Sequence, residues 1–195
     1  AAAGSYTLED TAPATSLSWV ADLASSSFVD SFSVGAQESA VQGVKFNTDG
    51  TKMFVIGTSG DDINEYTLST EFDVSTSSFV DSFSVTAQGS EPVGVAFNDT
   101  GSKMYWLDQN FRKVYFYTLT ANFDVSTASY GFASFSVASQ DSTPTDMDFN
   151  ADGTKMFIIG QSGSVYEYAL STGFDISTSS FVDSFSVSSE TADPQ

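Results

Sequence analysis

FNTDGTKMF (residues 46–54) returns as FNDTGSKMY (97–105) and again as FNADGTKMF (149–157), at spacings of 51 and 52 residues. Working outward, FDVST or FDIST begins at Phe72, Phe123 and Phe174, and FSV begins at Phe32, Phe83, Phe135 and Phe185. Three markers that keep one period mean stacked copies of a single unit that cannot bury its apolar sides alone.

Each copy predicts four short strands. Residues 41–47 (VQGVKFN) run into Thr48-Asp49-Gly50-Thr51, where Asp-Gly supplies the positive φ of a tight hairpin. Residues 52–56 (KMFVI) are almost wholly apolar, as in a strand covered on both faces. Residues 57–60 break the chain, and 63–68 (INEYTL) form the third strand before a Ser/Thr-rich connection. The fourth, 28–34 in the first copy, alternates Phe28, Phe32 and Val34 with Val29, Ser31 and Ser33, the period of a half-exposed strand. No helical period is sustained anywhere.

Four antiparallel strands with apolar inner members describe a β-propeller blade. The expected architecture is therefore all-β: a β-propeller-type array of three complete four-stranded antiparallel blades plus a partial N-terminal blade. One structural domain divides into 1–40 (degenerate partial blade and strap, with 10–18 as strap or intersubunit contact), 41–92, 93–144, and 145–195 with its tail. Phe46, Phe97, Phe149, Tyr66, Tyr117 and Tyr168 are expected in the core, at about 1.5–3 kcal/mol each when fully buried. Closed propellers take four or more blades. The array closes through its N-terminal pair of strands, continues in a longer array, or is completed by neighbouring chains at open strand edges.

Charge narrows the partners. Twenty-five acidic side chains face 6 basic ones, a formal net of −19. Such a field repels phosphate backbones, so no nucleic acid is expected, and it opposes anionic lipid unless divalent cations bridge the two. No stretch approaches the roughly 20 apolar residues of a spanning helix, so no direct membrane insertion is expected. Self-repulsion is screened by salt, which suits a saline setting. Cysteine and histidine are both absent, removing thiolate sites and the commonest general base.

The segment FNTDGTKMFVIGTSGDDINEYTLST (46–70) resembles the YVTN-type, lactonase-like propeller repeat in its Asp-Gly-Lys turn, apolar strand, Gly-containing turn and third strand. It resembles more closely the FNxDGTKMF…NEYTLST…FDVST repeats of marine bacteria and their phages, over about residues 41–187. The lactonase-like resemblance implies chemistry from His, Arg and Glu, or a divalent metal held by Glu, Asn and Asp in the central channel. Here there is no His and one Arg, Arg112. The first-strand residues that would face a channel, Gln42, Lys45, Asp146 and Asp148, do not recur as a set. The expectation is thus of no enzyme.

Asp49, Asp99 and Asp152 lie at or beside the hairpin turn and read as turn geometry. Lys52, Lys103 and Lys155 read as strand-edge cover that offsets nearby acids. Asp61 and Asp62 make a short acidic loop able to touch Ca²⁺, but a dedicated site takes 6–8 oxygens and the spacing is absent; no cofactor is expected. Within the copies, the hairpin end is nearly constant, whereas the turn after strand two reads GTSGDDIN, DQNFRKVY and GQSGSVY, and the links read GAQESA, TAQGSEP and ASQDSTP. Loops that depart from their own repeat are candidates for a specific task. Trp106, Asp108, Gln109, Asn110, Phe111, Arg112 and Lys113 are accordingly the expected contact face, an aromatic beside Arg being a common hot-spot composition. The expected role is a structural or attachment module outside the cytoplasm, on a cell surface, filament or virion (as a phage fibre or decoration protein). Its partners would be other protein subunits, in a homo-oligomer or larger assembly. A carbohydrate-binding propeller that stacks surface glycan on Trp106 is the alternative, and a hydrolase the third.

Overall fold

A computed structural model of the chain describes residues 27–188. The chain divides into two compact units, Ala1–Ser31 and Phe32–Gln195. Of the smaller unit only 27–31 are described, as irregular chain, so the strap at 10–18 lies outside the described residues, and of the partial blade expected over 1–40 only 27–40 are described.

The larger unit holds three four-stranded antiparallel sheets, each a meander. The first contains β1 (Val41–Phe46), β2 (Lys52–Gly57), β3 (Asp62–Leu68) and β4 (Ser77–Ser84). The second contains β5 (Pro92–Phe97), β6 (Lys103–Asp108), β7 (Lys113–Leu119) and β8 (Ala128–Ser136). The third contains β9 (Pro144–Phe149), β10 (Lys155–Gly160), β11 (Ser164–Leu170) and β12 (Ser179–Ser186). This is the all-β, propeller-like arrangement of blades that the repeat predicts.

The hairpin marker explains itself in hydrogen bonds. Asn47 Oδ1 accepts from the Lys52 N–H at 2.9 Å, and the Asn47 N–H donates to the Lys52 carbonyl at 3.1 Å. Asp49 accepts from the N–H and the hydroxyl of Thr51, and Asp152 does the same with Thr154. Gly50, Gly101 and Gly153 take φ of 69–72°. The carboxylates of the first and third hairpins are therefore turn fasteners. In the second, Asp99 gives that role to Thr100, whose hydroxyl meets that of Ser102 at 2.9 Å.

FDVST has a reason the period alone does not reveal. Phe72, Phe123 and Phe174 adopt left-handed φ of 55–59° and lay their rings over the hairpin glycines. The following aspartates cap one-turn 3-10 helices at Val74–Thr76, Val125–Thr127 and Ile176–Thr178. The second and third of those turns tie their sheet to the previous one. Lys52 Nζ donates to the Phe123 carbonyl at 2.7 Å, Lys103 Nζ to the Phe174 carbonyl at 3.2 Å, and Glu65 accepts from the Val125 N–H at 2.9 Å. In the first two sheets, then, the recurring lysine is a tie between sheets rather than a cover for a strand edge.

Between the first and second sheets, Phe54, Ile56 and Ile63 meet Val95, Met104, Trp106, Tyr117 and Leu119. Between the second and third, Tyr105, Leu107 and Val114 meet Met147, Met156, Ile158 and Tyr168. FSV finishes each junction: Phe83 sits edge-on to Tyr117 and Phe135 to Tyr168, both at 5.3 Å between centroids. Val85 and Val137 are fully buried behind them. Burial pushes the Tyr117 and Tyr168 hydroxyls up to about 12, and these donate to the Gln88 and Gln140 side chains of the preceding links.

The expected fourth strand at 28–34 does not form. β4, β8 and β12 each pair with the third strand of their own repeat, and no such partner for 28–34 occurs among the described residues. Phe32 nevertheless sits edge-on to Tyr66 at 5.7 Å, and Val34 packs on the first sheet beside it.

Candidate functional site

β1, β5 and β9 are the innermost strands, and they converge on a pocket of about 200 Å³. Its apolar wall is Phe46, Phe97 and Phe149, one from each repeat, with Phe123 and Phe174. These aromatics are only partly buried because their second task is to line this hollow. Lys45 Nζ, from the first sheet, meets Asp148 Oδ1, from the third, at 2.8 Å inside it. Two residues before Asp148, Asp146 packs so closely on the second sheet that a Cβ at Gly94 would come within 2.7 Å of its carboxylate. Burial holds the Asp146 carboxyl above the usual carboxylate range; the Met147 N–H it accepts from at 2.8 Å and the Lys45 charge pull the other way. The Lys45 ammonium, already paired with Asp148, thus lies near a second carboxyl whose pKa is raised, beside the pocket rather than in its lining.

Of the four residues expected at the axis, Lys45 and Asp148 come together and Asp146 adjoins them. Gln42 does not. It lines a separate polar recess of about 310 Å³ with Ser90, Glu91 and Gln109. Among the described residues no three acidic side chains converge as a metal site. Asp61 is a turn residue whose carbonyl accepts from the Val85 N–H; Asp62 accepts from Asn64 at 2.7 Å, and burial raises its carboxyl pKa.

The expected contact loop splits. Trp106 is fully buried in β6 and stacks on Tyr115 at 4.8 Å, so it is no platform for a sugar: an apolar position on a both-sides-covered strand points into the core. Asp108 is also fully buried, accepting from the Ser90 and Glu91 N–H groups and, at 2.6 Å, from the Phe111 N–H. Gln109 is partly buried and donates to the Pro144 carbonyl, while Lys113 is the partly buried first residue of β7. Asn110, Phe111 and Arg112 are exposed, Phe111 to 52%. Arg112 is held at φ 54°, where the first repeat has Asp61 and the third Gly163.

The variable end also hides a compensated exchange. Glu38 in the first link accepts from the Ala40, Ser59 and Gly60 N–H groups and lies over Gly57. Asp141 in the third link accepts from the Thr143 N–H and the Ser162 hydroxyl and lies over Gly160. In the middle repeat the two are swapped: the link carries Gly89 and the strand carries Asp108. Every repeat keeps one buried carboxylate clasping link to turn, and one glycine making room for it. Much of the loop variation is thus structural.

One exposed feature escaped the sequence reading. The extra residue of the middle repeat widens the β8 bulge opposite Phe116, since Tyr115 pairs with Ser134 and Tyr117 with Tyr130. Gly131 makes room for the Phe116 ring, and Phe132 is turned out at φ 56° and 90% exposed. The signal was available in the change of spacing from 51 to 52 at FSV.

No family model matches the sequence, and no curated protein matches it. Among solved structures, the fold is similar to a functionally unknown protein of Desulfotomaculum acetoxidans, with TM-score 0.51 and 14% identity over 75% of this chain and 42% of that one. It is also similar to a candidate 6-phosphogluconolactonase of Bacteroides fragilis (TM-score 0.53, 11% identity, 75% and 39%). Another candidate 6-phosphogluconolactonase, from Bacteroides uniformis, gives TM-score 0.50 and 14% identity over 71% and 40%. The chain spans about two fifths of the length of these structures, and identity this low shows the fold alone. The expectation of no enzyme is overturned as a deduction: proteins named for hydrolysis share the fold. It rested on the missing histidine, the single arginine and first-strand residues that do not recur as a set, whereas Lys45 and Asp148 do meet at the axis with Asp146 beside them.

Proposed function

We propose that the chain is a structural or attachment module of a cell surface or virion that meets a protein partner through the outward loops of its middle sheet. The observation that carries this reading is the exposed Phe111–Arg112 tip. In a chain of net charge −19, its single arginine stands beside an exposed aromatic. The tip is held in the left-handed region, which costs a non-glycine residue about 1–2 kcal/mol and is filled by Gly163 in the third repeat. Buried Asp108 fastens it from beneath. Strained backbone clusters at functional sites; the first repeat holds the same conformation with Asp61, and what sets this tip apart is the exposed aromatic–arginine pair. The turned-out Phe132 gives the same sheet a second exposed ring.

Two measurements test the reading. Immunogold microscopy of the source material is expected to place the protein on envelopes or particles, and fluorescently labelled chain to bind those surfaces. Phe111→Ala with Arg112→Gly is expected to weaken that binding at least tenfold, while Arg112→Gly alone raises folding stability by up to about 1 kcal/mol. Label confined to the cytoplasm, or unchanged binding by the double variant, overturns it. A glycan array run alongside shows whether the partner is sugar rather than protein.

The axial cluster supports a second reading, a hydrolase acting on a lactone, after the names carried by the similar folds. Lys45 would stabilise the oxyanion formed on water attack, and Asp146 would carry the proton. Turnover of 6-phosphogluconolactone that falls at least a hundredfold in Asp146→Asn and Lys45→Met supports it; no turnover by the wild-type chain removes it.

A further inference from the structure

We infer that the open face of the third sheet docks the first sheet of a second copy, head to tail, by repeating the chemistry of the two junctions inside the chain. At each internal junction the leading sheet buries an aromatic and a large aliphatic from its second strand and a β-branched residue from its third: Phe54, Ile56 and Ile63, then Tyr105, Leu107 and Val114. The third sheet presents the same set, Phe157, Ile159 and Val165, but Ile159 is 38% exposed where its two counterparts are fully buried. Phe185 is 70% exposed, whereas Phe83 and Phe135 each rest on a tyrosine of the next sheet. Phe157, Val165 and Phe185 line a shallow hollow of about 260 Å³ with Glu167 and Asp183.

The polar part of the first junction, whose glutamate half the second lacks because Phe116 stands where Glu65 does, is also in place. Lys52 and Glu65, 2.6 Å apart, bind the Phe123 carbonyl and Val125 N–H of the following turn. Lys155 and Glu167, at the same positions of the third repeat, stand paired at 2.8 Å, and no following turn meets them among the described residues. The first sheet is the complement. Its own turn, Phe72-Asp73-Val74, is the one whose Phe carbonyl and Val N–H are taken by no lysine or glutamate among the described residues. On its receiving side Val44 is 56% exposed, while Val95 and Met147 at the same position are buried. One end thus keeps a donor–acceptor pair and apolar knobs, and the other keeps their partners.

The outer half of the receiving groove holds the chain's own Phe32-Ser33-Val34, against Met53, Val55, Tyr66 and Leu68. The incoming segment, Phe185-Ser186-Val187, is the same tripeptide. Its entry exchanges like for like, as in segment swapping, and the net gain comes from the inner half, where Val44 and Ile159 leave water. A head-to-tail contact of this kind closes into a ring or grows a filament. This face is distinct from the Phe111–Arg112 tip, so its failure leaves the tip proposal standing.

Mass photometry and light scattering on the 195-residue chain across a concentration series test the inference. Wild type is expected to form concentration-dependent multimers. Ile159→Asp with Phe185→Asp, and separately Val44→Asp, are each expected to give monomers with unchanged circular dichroism, since all three positions are exposed. Mixed in equal amounts, the two variants retain one intact donor face and one intact acceptor face, and are expected to give dimers and nothing larger. Phe32→Ala is expected to raise multimer formation by emptying the groove. Wild type that stays monomeric overturns the inference, as do multimers that survive either block, or a mixture that stays monomeric.

Discussion

Replacing Asp141 with glycine costs about 2–3 kcal/mol, and adding Gly160→Asp to that variant returns part of it, the rest going to the shift of the Thr143 carbonyl that a Cβ at 160 requires. The loss follows from what the carboxylate holds: the Thr143 N–H and the Ser162 hydroxyl, each at 2.7 Å, at a site where Asp141 is almost fully buried. Hydrogen bonds to a charged group contribute about 1.5–3 kcal/mol, and stranding a buried donor adds its desolvation. Gly160→Asp alone is worse, about 3–5 kcal/mol, because a Cβ there would stand 2.4 Å from the Asp141 carboxylate and 2.5 Å from the Thr143 carbonyl, and because it puts two carboxylates in one dry site. Together the changes recreate the arrangement of the middle repeat, Gly89 under Asp108, which shows that the fold accepts the acid from either side. Urea unfolding of the four chains closes a double-mutant cycle. A coupling of about 3 kcal/mol or more is expected; additive costs would show that the exchange is coincidental.

That exchange shows what one sequence reveals and what it conceals. The period, the hairpin glycines and the apolar second strands report local rules, backbone sign and two-sided burial, and each could be read before any coordinates. So could the burial of Tyr66, Tyr117 and Tyr168. Trp106 belongs to the strand and not to the variable turn: DQNFRKVY begins at Asp108, after β6 has already carried the indole inward. The link and the turn each looked variable because they were compared separately, and only space shows that one acid moves between them. Lys45 and Asp148 are 103 residues apart but hold the same place in the first and third repeats, with Ala96 between them, so strand position alone brings both to the axis, and their 2.8 Å pairing is what the fold adds. A repeat makes legible which positions face the axis; which side chains pair across it, and that Gln42 turns to a separate recess, takes the fold to show.

Substituting alanine for Gly101 is expected to cost about 3–5 kcal/mol, more than a left-handed backbone explains. The φ of 70° accounts for roughly 1–2 kcal/mol. The remainder is steric: an added Cβ would stand 2.2 Å from the Phe123 ring. That ring cannot retreat cheaply. Phe123 is itself in the left-handed region, its N–H donates to the Gly101 carbonyl at 2.9 Å, and its ring meets Phe97 at 5.5 Å and Phe54 at 6.3 Å. Its carbonyl is also the acceptor for Lys52, so pressure on the ring loosens the tie between the first and second sheets. Phe123→Ala alone removes the ring and costs about 3 kcal/mol, but it also removes what the new methyl strikes. Gly101→Ala in that background is then expected to cost only the backbone share, about 1–2 kcal/mol. If the second substitution costs as much with the ring absent as with it present, the glycine serves φ alone, and the pairing of FDVST with the preceding hairpin glycine loses its physical basis.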